Sequence, residues 1–344
     1  MRFFNFVAIS GIVIFSGCGG SRSSRRSDGG PLLEHGSLQP DERLNGVGNR
    51  GQVNLGNTCY FNALMQVLAH ADPVKEYVEK TEVAQDKPVT SGFKNLVMAI
   101  WAEGHGGQVY DPKKFLQLCR KNAPGSFGKR SQEDAYEAYG AVLNMFDDEN
   151  LKGLYYFQVA SRLHCPTHGI DVKPKMEPHS GLTLSFTKTE DDVDVTDLLR
   201  SWGTPERVEA KCGKETNDPV ASKSSFLMTV PEVLVVQLGR FAFNRGLVRK
   251  INTGVRFDID LDLGEIMKDR IDPTLASQGS LKYKLTGVVY HHGEGLKSGH
   301  YTADYHNSFS NRWFHADDMR ITRTDTPGKQ NSSSAYILIY SKVE

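Results

Sequence analysis

The sequence has no surplus of charge: its 344 residues carry 41 Lys and Arg against 41 Asp and Glu. Nucleic-acid binding rests on an excess of basic side chains, so the balance argues against nucleic acid as the main partner. Cysteine is scarce. Cys18, Cys59, Cys119, Cys165 and Cys212 are odd in number and far apart, which argues against a dense disulfide framework. Long apolar runs are missing too, so a multi-span membrane protein is excluded. There is no internal repeat. What is present is 39% hydrophobic and 24% charged residues, the balance of a globular protein with a real core. The length allows two or three domains, or one large domain with lobes. With 33 glycines, turns should be many.

The N-terminus reads as a targeting segment. Arg2 precedes an apolar run from Phe3 to Phe15, broken by Asn5. It is short for a bilayer span and fits a signal-peptide core. Ser16-Gly17-Cys18 follows and resembles the lipobox of bacterial lipoproteins, with Phe15 where that pattern prefers Leu. A plain cleaved signal or an uncleaved anchor is the alternative. Residues 1–18 are therefore read as an export segment with membrane anchorage through the N-terminus. Residues 19–47, beginning GGSRSSRRSDGG, are read as a flexible linker, and residues 48–344 as the folded domain.

Within that domain the hydrophobic period changes. Phe61, Leu64, Met65 and Leu68 form one helical stripe from Thr58 onward. Phe93, Leu96, Val97, Ile100 and Trp101 form a second, and Tyr136, Tyr139, Leu143 and Phe146 a third. Later segments rich in Val, Ile, Tyr, Phe and Leu read as antiparallel strands: 234–243, 283–292, 300–306, 312–315 and 335–341. Glycine-containing loops are expected around 244–250 and 293–299. Helices first and strands later predict an α+β fold with a helical lobe against a sheet.

The most informative stretch is Gly51-Gln-Val-Asn-Leu-Gly-Asn-Thr-Cys59-Tyr-Phe-Asn62. A Gly- and Asn-rich loop runs into a helix whose first turn holds Cys59. The helix N-terminus favours a thiolate, and its loose N–H groups can stabilise an oxyanion. A small buried core cysteine is the ordinary alternative. The wording of the loop decides between them, because it resembles the Cys box of the ubiquitin-specific proteases, the papain-like deubiquitinases. Gln52 stands where that family has Leu. Two further boxes follow in the family's order. Ser131-Gln-Glu-Asp-Ala-Tyr-Glu137 is similar to its Gln/Glu-Asp box, with Ala138 in place of the aromatic that follows. Gly287-Val-Val-Tyr-His-His-Gly293, Ser298-Gly-His300-Tyr301 and Trp313-Phe-His-Ala-Asp317-Asp318 are similar to its His box, and Gln237-Leu-Gly-Arg-Phe241 to the strand before it. The resemblance runs from Gly51 to Tyr340.

The resemblance implies a papain-like α+β fold with a helical thumb (about 48–155), β fingers (about 156–230) and an antiparallel-sheet palm (about 231–344). It implies cleavage after the C-terminal Gly-Gly of ubiquitin. In the implied roles Cys59 is the nucleophile, His300 its base and later the acid. The third member is Asp317 or its neighbour Asp318; the position four after Trp313 favours Asp317. Asn54 and the backbone N–H of Cys59 would hold the oxyanion. Gln132, Asp134 and Glu137 would meet the arginine-bearing ubiquitin tail, and Tyr301 would wall a channel that only Gly-Gly passes. His291 and His292 are expected in structural hydrogen bonds.

No cofactor is expected. The family's fingers often hold structural zinc on two Cys-x-x-Cys pairs; here they read Cys165-Pro-Thr-His168 and Glu209-Ala-Lys-Cys212. With two of four ligands replaced the site is read as worn, with Cys165, His168 and Cys212 the safest ligands if zinc binds. The expected partners are ubiquitin and ubiquitinated proteins, and the expected state is a monomer. A protease for a ubiquitin-like modifier and a catalytically silent ubiquitin-binding module are the alternatives. An export signal before such a domain suggests an effector that leaves a bacterial cell and works on host conjugates, in a reducing compartment that keeps the thiol free.

Overall fold

The first helix, α1 (Cys59–Ala69), is buried on every side. Its sequence reads as an amphipathic stripe, yet the polar Asn62 and Gln66 are buried as well. Their side chains are consumed internally, Gln66 Nε2 donating to the Arg50 carbonyl at 2.7 Å and Asn62 Nδ2 to the Val53 carbonyl at 3.2 Å. A helix with bonded polar groups can therefore run through the middle of the protein. The computed structural model describes residues 46–343 except 84–85, 106, 128–131, 167–169, 187–191, 209, 212–216, 219–220, 245–246, 278, 296–297, 325–326 and 328–331. The export segment, nearly all of the linker, His168 and Cys212 lie outside the described residues.

Five more helices follow: α2 (Asp72–Lys80), α3 (Pro88–Trp101), α4 (Lys113–Asn122), α5 (Ala135–Met145) and α6 (Glu149–Gly153). Asp134 and Asp148 cap α5 and α6 through their carboxylates. From there the chain is mainly strand. It forms β1 (Phe157–Cys165), β2 (Ile170–His179), β3 (Leu182–Leu184), β4 (Val193–Asp194), α7 (Val195–Ser201), β5 (Glu206–Arg207), β6 (Ala210–Lys211), β7 (Asn217–Asp218) and β8 (Ser222–Leu227). Then come β9 (Val233–Leu238), β10 (Phe241–Asn244), β11 (Leu247–Lys250), β12 (Val255–Arg256), β13 (Asp260–Asp262) and α8 (Leu263–Ile266). The last strands are β14 (Lys282–Gly295), β15 (Ser298–Asn307), β16 (Arg312–Asp317), β17 (Arg320–Thr324) and β18 (Ala335–Lys342).

An eight-stranded sheet runs β17-β16-β15-β14-β18-β9-β3, with β13 also on β14. Its pairs are antiparallel except β3 on β9. Both faces are covered, so its central strands are apolar on both sides. Val233 and Val235 of β9 join the helical core, while Leu234, Val236 and Leu238 join a second core with α7 and α8. A smaller sheet, β2-β1-β8-β5, stands apart.

Two sequence expectations change. The run 234–243 is two strands, because the chain leaves the large sheet at Gly239-Arg240. Arg240 is fully buried. Its guanidinium donates to the carbonyls of Ile251 and Thr253 (both 2.9 Å), Ser332 (2.8 Å) and Ala335, and this cage turns the strand. Among the described residues of 244–250 and 293–299, Asn244 and 247–250 belong to the paired strands β10 and β11, and 293–295 with 298–299 to the paired strands β14 and β15; 245–246 and 296–297 lie outside the described residues.

Candidate active site

Cys59 opens α1 and is 3% exposed. The loop before it turns sharply through Gly56 (φ 85°) and Asn57 (φ 54°). The Asn54 side chain organises that turn. Its carbonyl oxygen accepts from the Gly56 N–H (3.0 Å), the Thr58 N–H (3.1 Å) and the Thr58 hydroxyl (3.2 Å). Gly51 is obligatory in the same loop: a Cβ there would meet the Met319 carbonyl oxygen at 2.2 Å. The loop thus lies against the β16–β17 turn, which carries Asp317 and Asp318.

The two aspartates diverge. His300 on β15 and Asp317 at the end of β16 are joined by Nε2 and Oδ1 at 2.6 Å. Asp317 therefore occupies Nε2 and leaves Nδ1 as the nitrogen for other chemistry. Asp318 sits in the turn with φ 49°, and its carboxylate points to the cysteine loop. Oδ2 accepts from Asn54 Nδ2 at 2.8 Å and Oδ1 from Asn62 Nδ2 at 2.7 Å. Its carbonyl accepts the Gln52 N–H at 2.8 Å. Strand alternation alone does not separate these neighbours; the left-handed turn does.

The thiol lies against the backbone of Tyr301, the residue after His300. Burial pushes the Cys59 pKa up, and the charge of Asp318 adds to this. The backbone amides of Tyr301, Tyr60 and Cys59 pull the other way without prevailing. Burial and Asp318 thus oppose the pull of the helix N-terminus, which the simple expectation from its position leaves out.

Tyr301 is 1% exposed, and its hydroxyl has no hydrogen-bond partner. Gln132 is buried, with Nε2 equally unpartnered. Asp134 is no free surface acid: it is buried, accepts the Tyr136 and Glu137 N–H groups at 2.8 and 2.9 Å, and accepts the Tyr336 hydroxyl at 2.6 Å. Burial raises its pKa. Glu137 is exposed on the same helix. His291 departs from expectation. Its ring is buried among Phe241, Tyr301 and Tyr336, and its nitrogens make no close hydrogen bond, the Ser298 backbone being the polar group they face. His292 does bond, to the Thr302 hydroxyl at 2.9 Å. Cys165 ends β1, fully buried and disulfide-bonded; a zinc ion there would need that sulfur as a free thiolate.

Asn62 and Gln52 were missed as site residues. Asn62 carries Asp318, and Gln52 Nε2 donates to the Asn62 carbonyl at 3.2 Å. The signal was an amide at the fourth position of a buried helix, which a core position would not otherwise tolerate.

The sequence pattern of the family described as ubiquitin carboxyl-terminal hydrolase matches residues 50–340. Ubiquitin carboxyl-terminal hydrolase 17-like protein B of Mus musculus is 28% identical over 311 residues, covering 84% of this chain and 63% of its own length. Ubiquitin carboxyl-terminal hydrolase 51 of Mus musculus is 27% identical over 343 residues, covering 86% and 51%. The chain thus spans about half to two-thirds of those relatives' lengths. Among solved structures, the SAGA DUB module of Ubp8, Sgf11, Sus1 and Sgf73 bound to ubiquitin aldehyde aligns with TM-score 0.70 at 21% identity, covering 87% of this chain and 70% of the other. That likeness gives the α+β fold.

Proposed function

This chain belongs to the ubiquitin carboxyl-terminal hydrolase family, and on that premise we propose that it is a thiol-dependent deubiquitinase. The observation that carries the reading is the convergence at α1. A cysteine at the helix start meets the strand of a His–Asp pair, beside an asparagine tied to a second aspartate.

In the proposed reaction, the Cys59 thiol gives its proton to His300 as sulfur attacks the carbonyl after the terminal Gly-Gly. Asp317 holds Nε2, so Nδ1 takes that proton and passes it to the leaving amine. One N–H of Asn54 is spent on Asp318, which orients the amide; the second, with the Cys59 backbone N–H, serves the oxyanion. Water then hydrolyses the thioester, and ubiquitin leaves as the free acid. The unpartnered Gln132 Nε2 and Tyr301 hydroxyl fit an extended peptide that brings its own donors and acceptors. Glu137 suits the arginines of the ubiquitin tail.

The test uses residues 48–344 and ubiquitin bearing a C-terminal electrophile. One ubiquitin adduct, absent from Cys59→Ala, is expected. An adduct only with a ubiquitin-like modifier probe would keep the mechanism and replace the substrate. Retained binding without an adduct would mean a silent binding module.

We further propose that the N-terminal segment exports the protein from a bacterial cell and that it acts as a monomer on host conjugates. This rests on the apolar run and Ser16-Gly17-Cys18. Fractionation of infected cells tests it: retention in the exporting cell would end that reading.

A further inference from the structure

Beside the β14–β15 hairpin lies a buried cation that, among the described residues, bonds backbone carbonyls and no carboxylate. Lys250, at the end of β11, is 7% exposed. Its ammonium donates to the carbonyls of His291 (2.7 Å) and Gly293 (2.9 Å) on β14. These two residues flank His292, the register partner of His300 across the β14–β15 pair. The same stretch is pinched by glycines. A Cβ on Gly293 would meet the Gly299 Cα at 2.8 Å, and one on Gly299 would meet the His292 carbonyl oxygen at 2.1 Å. Gly299 immediately precedes His300.

His291 carries this support to the site. Its ring centroid is 4.7 Å from that of Tyr301, the residue after His300. Its Nε2 lies 3.0 Å from the place a Gly299 Cβ would take. One buried ring therefore packs on Tyr301 and fills the space a side chain at position 299 would need, and the Tyr301 backbone in turn meets the Cys59 thiol. We infer that Lys250 is a positioning residue for this reaction: by holding the His291 and Gly293 carbonyls it fixes the His291 ring against Tyr301 and beside Gly299, on either side of His300.

The electrostatics agree. Burial, then Lys250, then His292 push His291 down to about 4. The groups facing it are Lys250 on β11, Tyr301 and the Ser298 backbone on β15, Tyr336 on β18 and His292 on its own strand; Phe241 on β10 is apolar. Lys250 itself faces Arg240 and Glu294. Among the described residues no carboxylate faces His291. A protonated His291 would be a buried cation beside an ammonium, a cost that the Ser298 backbone offsets only in part.

This inference rests on Cys59 and His300 acting as nucleophile and base, so its test does not use ubiquitin. Iodoacetamide alkylation of Cys59 is followed against pH in the full domain, with folding checked by circular dichroism. In Lys250→Met the acid limb should move to higher pH by about half a unit or more, because His291 then accepts a proton more readily. Adding His291→Phe should return the limb to its wild-type place. A Lys250→Met profile that superposes on the wild type overturns the inference. A wild-type profile insensitive to His300→Ala would instead sink the reading of the site itself. Should Lys250→Met fail to fold, the wild-type protein still decides. The His291 ring resonances should stay those of a neutral imidazole from pH 7.5 down to about 5, and titration near an ordinary histidine value overturns the inference.

Discussion

Asp318→Asn should separate thiol reactivity from turnover. The carboxylate serves two amides at once, Asn54 at 2.8 Å and Asn62 at 2.7 Å. Asparagine keeps the volume and tolerates the left-handed turn, but it offers one oxygen and one NH2. One of the two contacts then becomes donor against donor. Asn62 is 2% exposed and Asn54 is exposed, so the new oxygen goes to Asn62, where an unmade bond costs more. Asn54 is released. A hydrogen bond to a charged group contributes about 1.5–3 kcal/mol, which corresponds to about 10- to 150-fold in rate if it serves the transition state. The ceiling is the loss of a whole oxyanion donor, about 100- to 1000-fold. The thiol should respond in the opposite sense, since Asp318 helps hold the Cys59 pKa up. Steady-state hydrolysis of a fluorogenic ubiquitin C-terminal amide gives the first quantity, and iodoacetamide alkylation at fixed pH the second. Slower hydrolysis with equal or faster alkylation is expected. Hydrolysis within twofold of wild type, or both rates falling together, would refute the assignment of Asp318 to Asn54.

Other perturbations reach other links. Gly51→Ala puts a Cβ 2.2 Å from the Met319 carbonyl oxygen; kcat should fall more than tenfold, and a melting curve should show whether the domain stays folded. Arg240→Met takes the donor from the carbonyls of Ile251, Thr253 and Ala335, while that of Ser332 keeps the Val255 N–H. At about 1–3 kcal/mol for each unsatisfied group, that rivals a whole domain's stability, and denaturant titration should find little cooperative folding. His70 is buried with Nδ1 2.7 Å from the Gln66 carbonyl and Nε2 2.9 Å from that of Gly48, and burial pushes it from 6.5 down to about 4. The unfolded chain then binds the extra proton between those values. Stability present above pH 6.5 should fall as pH drops toward 4, by at most about 3 kcal/mol. Denaturation across that range should show the slope, and His70→Gln should flatten it.

Much of this was legible in the sequence because local chemistry and global fold agree. The 3.6-residue stripe at Phe93–Trp101 marks a helix buried where the stripe says, and the stripe Tyr136, Tyr139, Leu143 and Phe146 marks α5, with Tyr136 half-buried and Phe146 capping its end. The Val- and Tyr-rich runs mark the strands of the large sheet. What stayed hidden depends on contacts between distant segments. Periodicity does not show that α1 is buried on all sides, because Asn62 and Gln66 find partners in the preceding loop. Nor does it show that Arg240 breaks a strand, since the four carbonyls it serves come from 251–253 and 332–335. Asp317 and Asp318 are adjacent letters, and only the φ of 49° at Asp318 sends one to His300 and the other to Asn54. The family's box marks Asp134 as a substrate contact, and the box does not show that its hydrogen bonds also hold α5 to Tyr336.

The most direct test of the account is an acid-quenched reaction with a ubiquitin amide substrate, read by intact mass and peptide mapping. The account predicts a transient ubiquitin thioester on Cys59, none on Cys119, collapsing to free ubiquitin acid and vanishing in Cys59→Ala. Folded protein that forms no such species and leaves the substrate whole would contradict it.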